Sequence, residues 1–146
     1  MTIDVLEVNA LLVKIFNDVL TIEESELQKS NYSDISIKEM HIIDAIGLHQ
    51  NKTTTEVAKV VMVTVGTMTV AINNLVKKGY VERIRSNFDR RVVNLGLTHK
   101  GKIVYRIHQT FHKKMVRNIL KDMEDVEGET LIKALCNLEN YLERLK

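Results

Sequence analysis

Apolar residues recur every three or four positions at both ends of the chain. Near the start they are Val5, Val8, Leu12, Ile15, Val19 and Ile22. Near the end they are Leu131, Leu135, Leu138, Leu142 and Leu145. This spacing places side chains on one face of an α-helix. Both end segments are therefore predicted to be long amphipathic helices.

The middle of the chain has the signals of two short helices. Thr53 and Glu56 have the spacing of a capping box, which starts a helix by satisfying free backbone N–H groups. This helix should break near Met62. A second helix is predicted from Thr64 to Gly79, where glycine suits a left-handed C-terminal cap. Two short helices across a tight turn indicate a helix-turn-helix.

Apolar and polar residues then alternate in two short stretches, at positions 80–84 and 92–97. Alternation is typical of strands with one buried face, so a β-hairpin is predicted. Its tip carries Asp89, Arg90 and Arg91. Arginine on a thin ribbon suits a narrow DNA minor groove, and the Asp89 carboxylate can orient one guanidinium through a bidentate pair. Helices followed by such a hairpin predict a winged helix-turn-helix, a DNA-binding fold.

Length and charge agree with this interpretation. The 146 residues suffice for one domain, and although the formal net charge is only +2, basic residues crowd into positions 77–102. The sequence has no phosphate-cradling glycine loop, nucleophile elbow or His-Glu-x-x-His pair, so we do not expect an enzyme. No apolar run approaches the ~18 residues of a membrane span and the first residues do not form an export signal, so a cytoplasmic protein is expected.

Several motifs resemble those of the MarR family of bacterial repressors. They are Glu56-Val-Ala58, Val63-Thr64, Leu75-x-x-x-Gly79-Tyr-Val-x-Arg83, Asp89-Arg90-Arg91 and Leu97-Thr98-x-x-Gly101. The resemblance implies a mainly α fold of about six helices with a small β wing, in which winged helix-turn-helix lobes bind DNA and the terminal helices form a homodimer. It also implies transcriptional repression without catalysis.

A narrower set of motifs is similar to the branch of this family that regulates fatty-acid synthesis. It comprises the stretches 35–41, 65–69 with Asn73-Asn74, and 106–112. This similarity implies a repressor of fatty-acid synthesis genes that binds DNA more tightly when an acyl-acyl carrier protein occupies it. The alternative is a MarR-type regulator of another set of genes that responds to zinc or a small ligand.

The end helices carry more apolar surface than one short domain would bury. Burial against a second copy is the natural solution, and packing within one chain is the alternative. We expect a single MarR-like domain at 1–146, with dimerisation helices at 1–30 and 98–146 and a DNA-binding lobe at 31–97. A two-fold dimer requires an inverted-repeat operator.

The candidate DNA-binding residues lie on the second helix of the motif and on the wing. Many family members carry arginine on the exposed face of that helix, whereas this chain has Val70. Base reading should then use small groups, whose hydroxyls reach base edges or phosphates and whose methyls contact thymine, unless these side chains are merely solvated. The candidates are Thr64, Gly66, Thr67, Thr69, Asn73, Arg83, Arg85, Asp89, Arg90 and Arg91.

The helix after Thr98 offers two ligand hypotheses, neither of which requires a bound cofactor. Its basic flank is either an ordinary solvated face or, by the family resemblance, a contact surface for acyl carrier protein. The residues of this flank are Arg106, Lys113 and Arg117. The second hypothesis is a zinc site formed by residues with zinc-ligand chemistry. Its members are Glu23 or Glu24, His41, His108 and His112. The alternative for the histidines is hydrogen bonding across packed helices.

Overall fold

The computed structural model describes residues 2–146. Within that range it has six helices and a three-stranded antiparallel sheet. The helices are α1 (Val5–Lys29), α2 (Ile37–Ile46), α3 (Thr54–Val60), α4 (Val65–Lys77), α5 (His99–Leu120) and α6 (Asp125–Leu145). The strands are β1 (Lys52–Thr53), β2 (Val81–Arg85) and β3 (Val93–Leu97), in the order β1-β3-β2. The predicted mainly α fold with a small wing is confirmed.

The backbone divides into two compact units. One ends at His108, and the other spans Gln109–Lys146. The first unit contains α1 to α4, the sheet and the start of α5. The second contains the rest of α5 and α6, and its α6 has no buried residue.

The ends of α3 and α4 follow from local hydrogen bonds. Thr53 accepts from the Glu56 N–H (3.3 Å), and the Glu56 carboxylate accepts from the Thr53 N–H (3.4 Å). This reciprocal pair is the predicted capping box. Thr64 accepts from the Thr67 N–H (3.1 Å) and so starts α4. Gly79 has φ +86° just after α4, which confirms the expected left-handed residue.

The helices α3 and α4 meet at an angle of 108°, which is typical of a helix-turn-helix. The turn between them passes through Met62, whose φ is +60°. No single helix in the described part of the chain is long and apolar enough to cross a membrane. Only α3 and α4 taken together reach the required length and composition, and they do so as a sharply bent pair.

The core of the first unit lies beneath the helix-turn-helix and the sheet. Its fully buried side chains include Ile35, Ile43, Ile46, Val57, Met68, Ile72, Leu75, Tyr80, Leu95, Leu97 and Val104. The short strand β1, which the sequence pattern did not predict, pairs with β3 so that Lys52 lies opposite Leu95. Each element contributes one apolar face to this core, so the opposite faces of α4 and the wing remain available for binding.

A tight junction joins α4, the sheet and α5. The Thr98 hydroxyl donates to the Gly79 carbonyl (2.6 Å) and accepts from the Gly101 N–H (3.1 Å). The buried Tyr80 hydroxyl donates to Asp34, and burial followed by this bond raises the pKa of the Tyr80 phenol above its usual range. A side chain at position 101 would clash with the carbonyl oxygen of Tyr80. The junction therefore requires glycine there because two backbones meet.

This clash predicts that Gly101→Ala will destabilise the protein by roughly 1–3 kcal/mol, the usual cost of overpacking. Urea unfolding followed by circular dichroism should show a lower midpoint. Gly66→Ala is the matched control, because nothing lies within 4 Å of a methyl added there. Its helical backbone should gain up to ~1 kcal/mol. Equal midpoints for the two variants would contradict the proposed close contact.

Candidate nucleic-acid interface

Helix α4 separates a buried face from an open one. Met68, Ile72 and Leu75 are fully buried, so the opposite face is turned to solvent. Its exposed residues include Gly66, Thr67, Thr69, Val70, Asn73, Asn74 and Lys77. This exposed helix follows the turn of a helix-turn-helix, so it is the recognition helix.

The hydroxyl groups on α4 are hydrogen-bonded within the protein. The Thr64 hydroxyl accepts the Thr67 N–H and donates to the Thr67 hydroxyl (2.9 Å). The Thr69 hydroxyl donates to the Val65 carbonyl (2.9 Å). These bonds hold the threonine side chains in defined rotamers in the absence of DNA.

One bond joins the wing to the recognition helix. The Arg83 guanidinium on β2 donates to the Asn73 side-chain oxygen on α4 at 2.6 Å. Both residues are predicted to contact DNA, but no sequence pattern indicates that they contact each other. Because the pair is exposed, Arg83 can still present its other N–H groups to phosphate while it orients Asn73.

The wing tip is ordered by its own polar groups. Arg91 donates two bonds to the Asp89 carboxylate, each of 3.1 Å, so the predicted bidentate pair forms with Arg91. These bonds hold the pKa of Asp89 below its usual range, so the carboxylate is charged at neutral pH. Arg85 donates to the Arg90 carbonyl (2.7 Å) across the hairpin. Phe88, which no sequence motif marks as a candidate, is fully exposed at the tip.

The result is a rigid basic edge beside the recognition helix. Arg83, Arg85, Arg90 and Arg91 are all exposed, and Lys77 extends the charge to the end of α4. Guanidinium groups on a narrow ribbon bind phosphates and enter the negative potential of a narrow minor groove. The fold and this surface together define a winged helix-turn-helix DNA-binding protein.

The chain belongs to the MarR family. The family model matches residues 35–93, which include the helix-turn-helix and the wing tip. The structure of Streptococcus pneumoniae FabT in complex with DNA is 50% identical in sequence, with a TM-score of 0.89 and coverage of 98% of this chain and 100% of that one. The protein is thus a MarR-type DNA-binding transcriptional regulator, and not an enzyme.

More distant relatives agree with this assignment. An uncharacterized HTH-type transcriptional regulator of Bacillus subtilis, YpoP, is 26% identical over 136 residues, which are 91% of this chain and 92% of that protein. The S. aureus MepR–DNA complex has a TM-score of 0.72 at 22% identity, covering 93% of this chain and 94% of that one. At that identity the likeness to MepR concerns the fold alone.

Two of the predicted histidine ligands meet in the first unit, and the carboxylate between them is Glu23, the first of the two predicted glutamates. His41 Nε2 lies 3.3 Å from one oxygen of Glu23, and His108 Nδ1 lies 3.8 Å from the other. One ligand atom from each residue falls within 4.8 Å of the others. Glu23 is buried whereas Glu24 is exposed, because neighbouring helical residues point in directions 100° apart. The prediction of Glu24 is therefore corrected to Glu23.

The remaining ligand candidates lie on α5. His112 is in the second unit, half-buried, with its ring perpendicular to that of Phe111 at a centroid distance of 5.4 Å. It is not in the group formed by Glu23, His41 and His108. The basic residues Arg106, Lys113 and Arg117 are exposed, as a contact surface requires.

The geometry of the wing predicts that Arg90 contributes to DNA affinity without stabilising the fold. Arg90→Ala removes only an exposed side chain, since Arg85 bonds to its backbone carbonyl. Affinity for the operator should fall at least tenfold, equivalent to ~1.4 kcal/mol. The slope of log affinity against log salt should fall by about one phosphate equivalent.

Fluorescence anisotropy at several salt concentrations measures both effects. Arg144→Ala, which removes an exposed arginine from α6, is the control and should leave affinity unchanged. If Arg90→Ala binds as tightly as the parent protein at matched salt, the wing does not contact DNA as argued.

Proposed function

We propose that this protein is a homodimeric repressor of fatty-acid synthesis genes, with an acyl-acyl carrier protein as co-repressor. The observation that carries the proposal is the 50% identity to FabT over nearly the whole chain. It agrees with the resemblance of the stretches 35–41 and 106–112 to the fatty-acid branch of the family. The direct test is a mobility shift with inverted repeats from the promoters of the organism's own fatty-acid synthesis genes, against scrambled repeats of equal composition.

Exposed apolar residues support the homodimer. On α1 and α6, large apolar side chains are more than half exposed, among them Val5, Leu6, Leu11, Phe16, Val126, Ile132, Leu135 and Leu145. Exposed apolar side chains in such numbers on one helix mark an interaction site. A second copy is the simplest partner because a two-fold axis also supplies the second recognition helix that an inverted repeat needs.

The dimer proposal predicts the effect of charge on the apolar stripe of α1. In the double variant Ile15→Glu/Ile22→Glu, two exposed apolar side chains of the stripe become carboxylates that an apolar interface cannot solvate. Sedimentation velocity should then show the mass of one chain at micromolar concentration. Asn9→Glu/Asn17→Glu adds the same charge at exposed polar positions of α1 and should remain dimeric. An apolar-stripe variant that still dimerises and binds the operator normally would contradict this interface.

The basic row on α5 supports an acidic macromolecule as co-ligand. Arg106, Lys113 and Arg117 are spaced by seven and four residues, which places side chains in one row along an α-helix. Exposed like charges in a row attract and orient a partner of opposite charge. An acyl carrier protein is highly acidic and brings its acyl chain with it.

Zinc is the second candidate effector, and the group of Glu23, His41 and His108 favours it. A carboxylate and two imidazoles suit zinc, and three such ligands leave a coordination position for a fourth. The other explanation is that the two histidines simply pair with a buried carboxylate, with His41 hydrogen-bonded to it and His108 at 3.8 Å. The two effectors would bind different residues. Titrating each effector into the operator complex therefore distinguishes the two proposals.

If the acyl carrier is the co-repressor, long-chain acyl-acyl carrier protein should tighten a fluorescent operator complex. Lys113→Glu should weaken that effect at least tenfold while ligand-free DNA affinity changes little, because rim charges steer a partner. Lys133→Glu, a charge reversal at an exposed position of α6, is the control. By linkage, the carrier must also bind the DNA complex more tightly by the factor it adds to DNA affinity.

If zinc is the effector, it should change DNA affinity in the parent protein, and His41→Ala should remove that change because a lost ligand weakens the site. We expect the acyl carrier to act and zinc to have little effect. A zinc response abolished by His41→Ala, with no response to the carrier, would replace the co-repressor proposal with the metal-sensor alternative.

A further inference from the structure

The base-reading half of the recognition helix has few polar side chains, and their hydroxyl groups already take part in hydrogen bonds within the protein. In a helix-turn-helix the N-terminal residues of this helix contact the base edges. Here the Thr64 hydroxyl is bonded to Thr67 and the Thr69 hydroxyl to the Val65 carbonyl, while the Thr67 hydroxyl accepts from Thr64 and can still donate. Gly66 has no side chain, and Met68 is buried. What the helix presents to a major groove is therefore largely aliphatic.

Val70 occupies the centre of this outward face. It is 61% exposed, although it is a β-branched apolar residue in an otherwise well-packed helix. Gly66, one turn earlier, has open space around it, since a methyl added there would meet nothing within 4 Å. The backbone at Gly66 and the Val70 methyls thus form a low, apolar surface that can come close to the floor of a groove.

The usual polar readouts of bases are restricted around this surface. Bidentate recognition of adenine needs both the oxygen and the nitrogen of an amide, and the Asn73 oxygen already accepts from Arg83. Guanine is read by an arginine or lysine side chain, and neither residue lies between Thr64 and Val70. The major-groove feature that suits an aliphatic side chain is the 5-methyl group of thymine.

We propose that Val70 is a specificity-determining residue that reads thymine through contact with its 5-methyl group. The inference deepens the DNA-binding function and does not depend on which genes are regulated. Its Cβ branching restricts the Val70 rotamer, so the two γ-methyls are held in place before binding. A base other than thymine then lowers the affinity because less apolar surface is buried. The effect is modest at each position, and it adds across the two half-sites of an operator.

The test uses an operator selected by the protein from a pool of random duplexes. Each thymine of one half-site is replaced in turn by deoxyuridine, which removes only the 5-methyl group. For the parent protein, at least one position per half-site should lose about three- to fivefold in affinity, the effect of unburying roughly one methyl group. In Val70→Ala the same replacement should lower affinity less than twofold, because the valine methyl that contacts thymine is already absent. The two proteins and the two duplexes together form a double-mutant cycle.

Two further variants control for general effects. Val70→Thr keeps one γ-methyl and should retain most of the deoxyuridine penalty. Val60→Ala truncates an exposed valine of α3 and should leave the penalty unchanged. The proposal fails if no thymine is sensitive, if Val70→Ala keeps the full penalty, or if selection yields no preferred sequence. The selection starts from random DNA, so it does not assume which genes are regulated. A preferred operator that is absent from fatty-acid promoters would refute the proposed set of regulated genes. The deoxyuridine experiment would still test the role of Val70.

Discussion

The close approach of α5 to the backbone of Tyr80 is the contact on which the DNA-binding lobe depends. At this point the Thr98 hydroxyl is bonded to the Gly79 carbonyl and to the Gly101 N–H, so two backbone groups join the end of the recognition helix to the start of α5 beside the first strand of the wing. Only glycine at position 101 permits the contact. Because this junction is short, it fixes the angle between the recognition helix and the wing. DNA binding requires a fixed angle because both elements contact the same duplex.

The basic surface is organised in advance by internal bonds that use part of its polar capacity. Asp89 holds Arg91, Arg85 holds the backbone of Arg90, and Arg83 holds Asn73. Each bond reduces the side-chain entropy lost when DNA binds, and preorganisation of this kind favours affinity. The same internal bonds also leave each group with fewer hydrogen-bonding positions for DNA, so each group recognises fewer features. Such a surface suits the recognition of groove shape and phosphate positions. Discrimination between bases is then left to the apolar contacts proposed for α4.

Local signals in the sequence predicted most of the fold. The capping box at Thr53, the helix start at Thr64 and the left-handed residue at Gly79 are decided by neighbours within four residues, and each forms as expected. Contacts between distant segments were not predictable in the same way. Choosing Glu23 over Glu24 depends on how α1 is rotated against α2, and the bond from Arg83 to Asn73 depends on the hairpin folding back onto α4. Both are tertiary outcomes that no local spacing encodes.

The position of α5 gives a physical route by which a ligand could alter DNA binding. The Lys100 ammonium lies 4.2 Å from the centre of the Tyr80 ring and donates to the Lys78 carbonyl at the end of α4. The basic residues proposed to meet an acyl carrier begin only six residues later, at Arg106, on the same helix. A partner bound at Arg106 would therefore contact the same helix whose first turn is bonded, through Lys100, to the end of the recognition helix. Coupling of this kind needs no change of fold, only a bias in how α5 holds α4 and the wing.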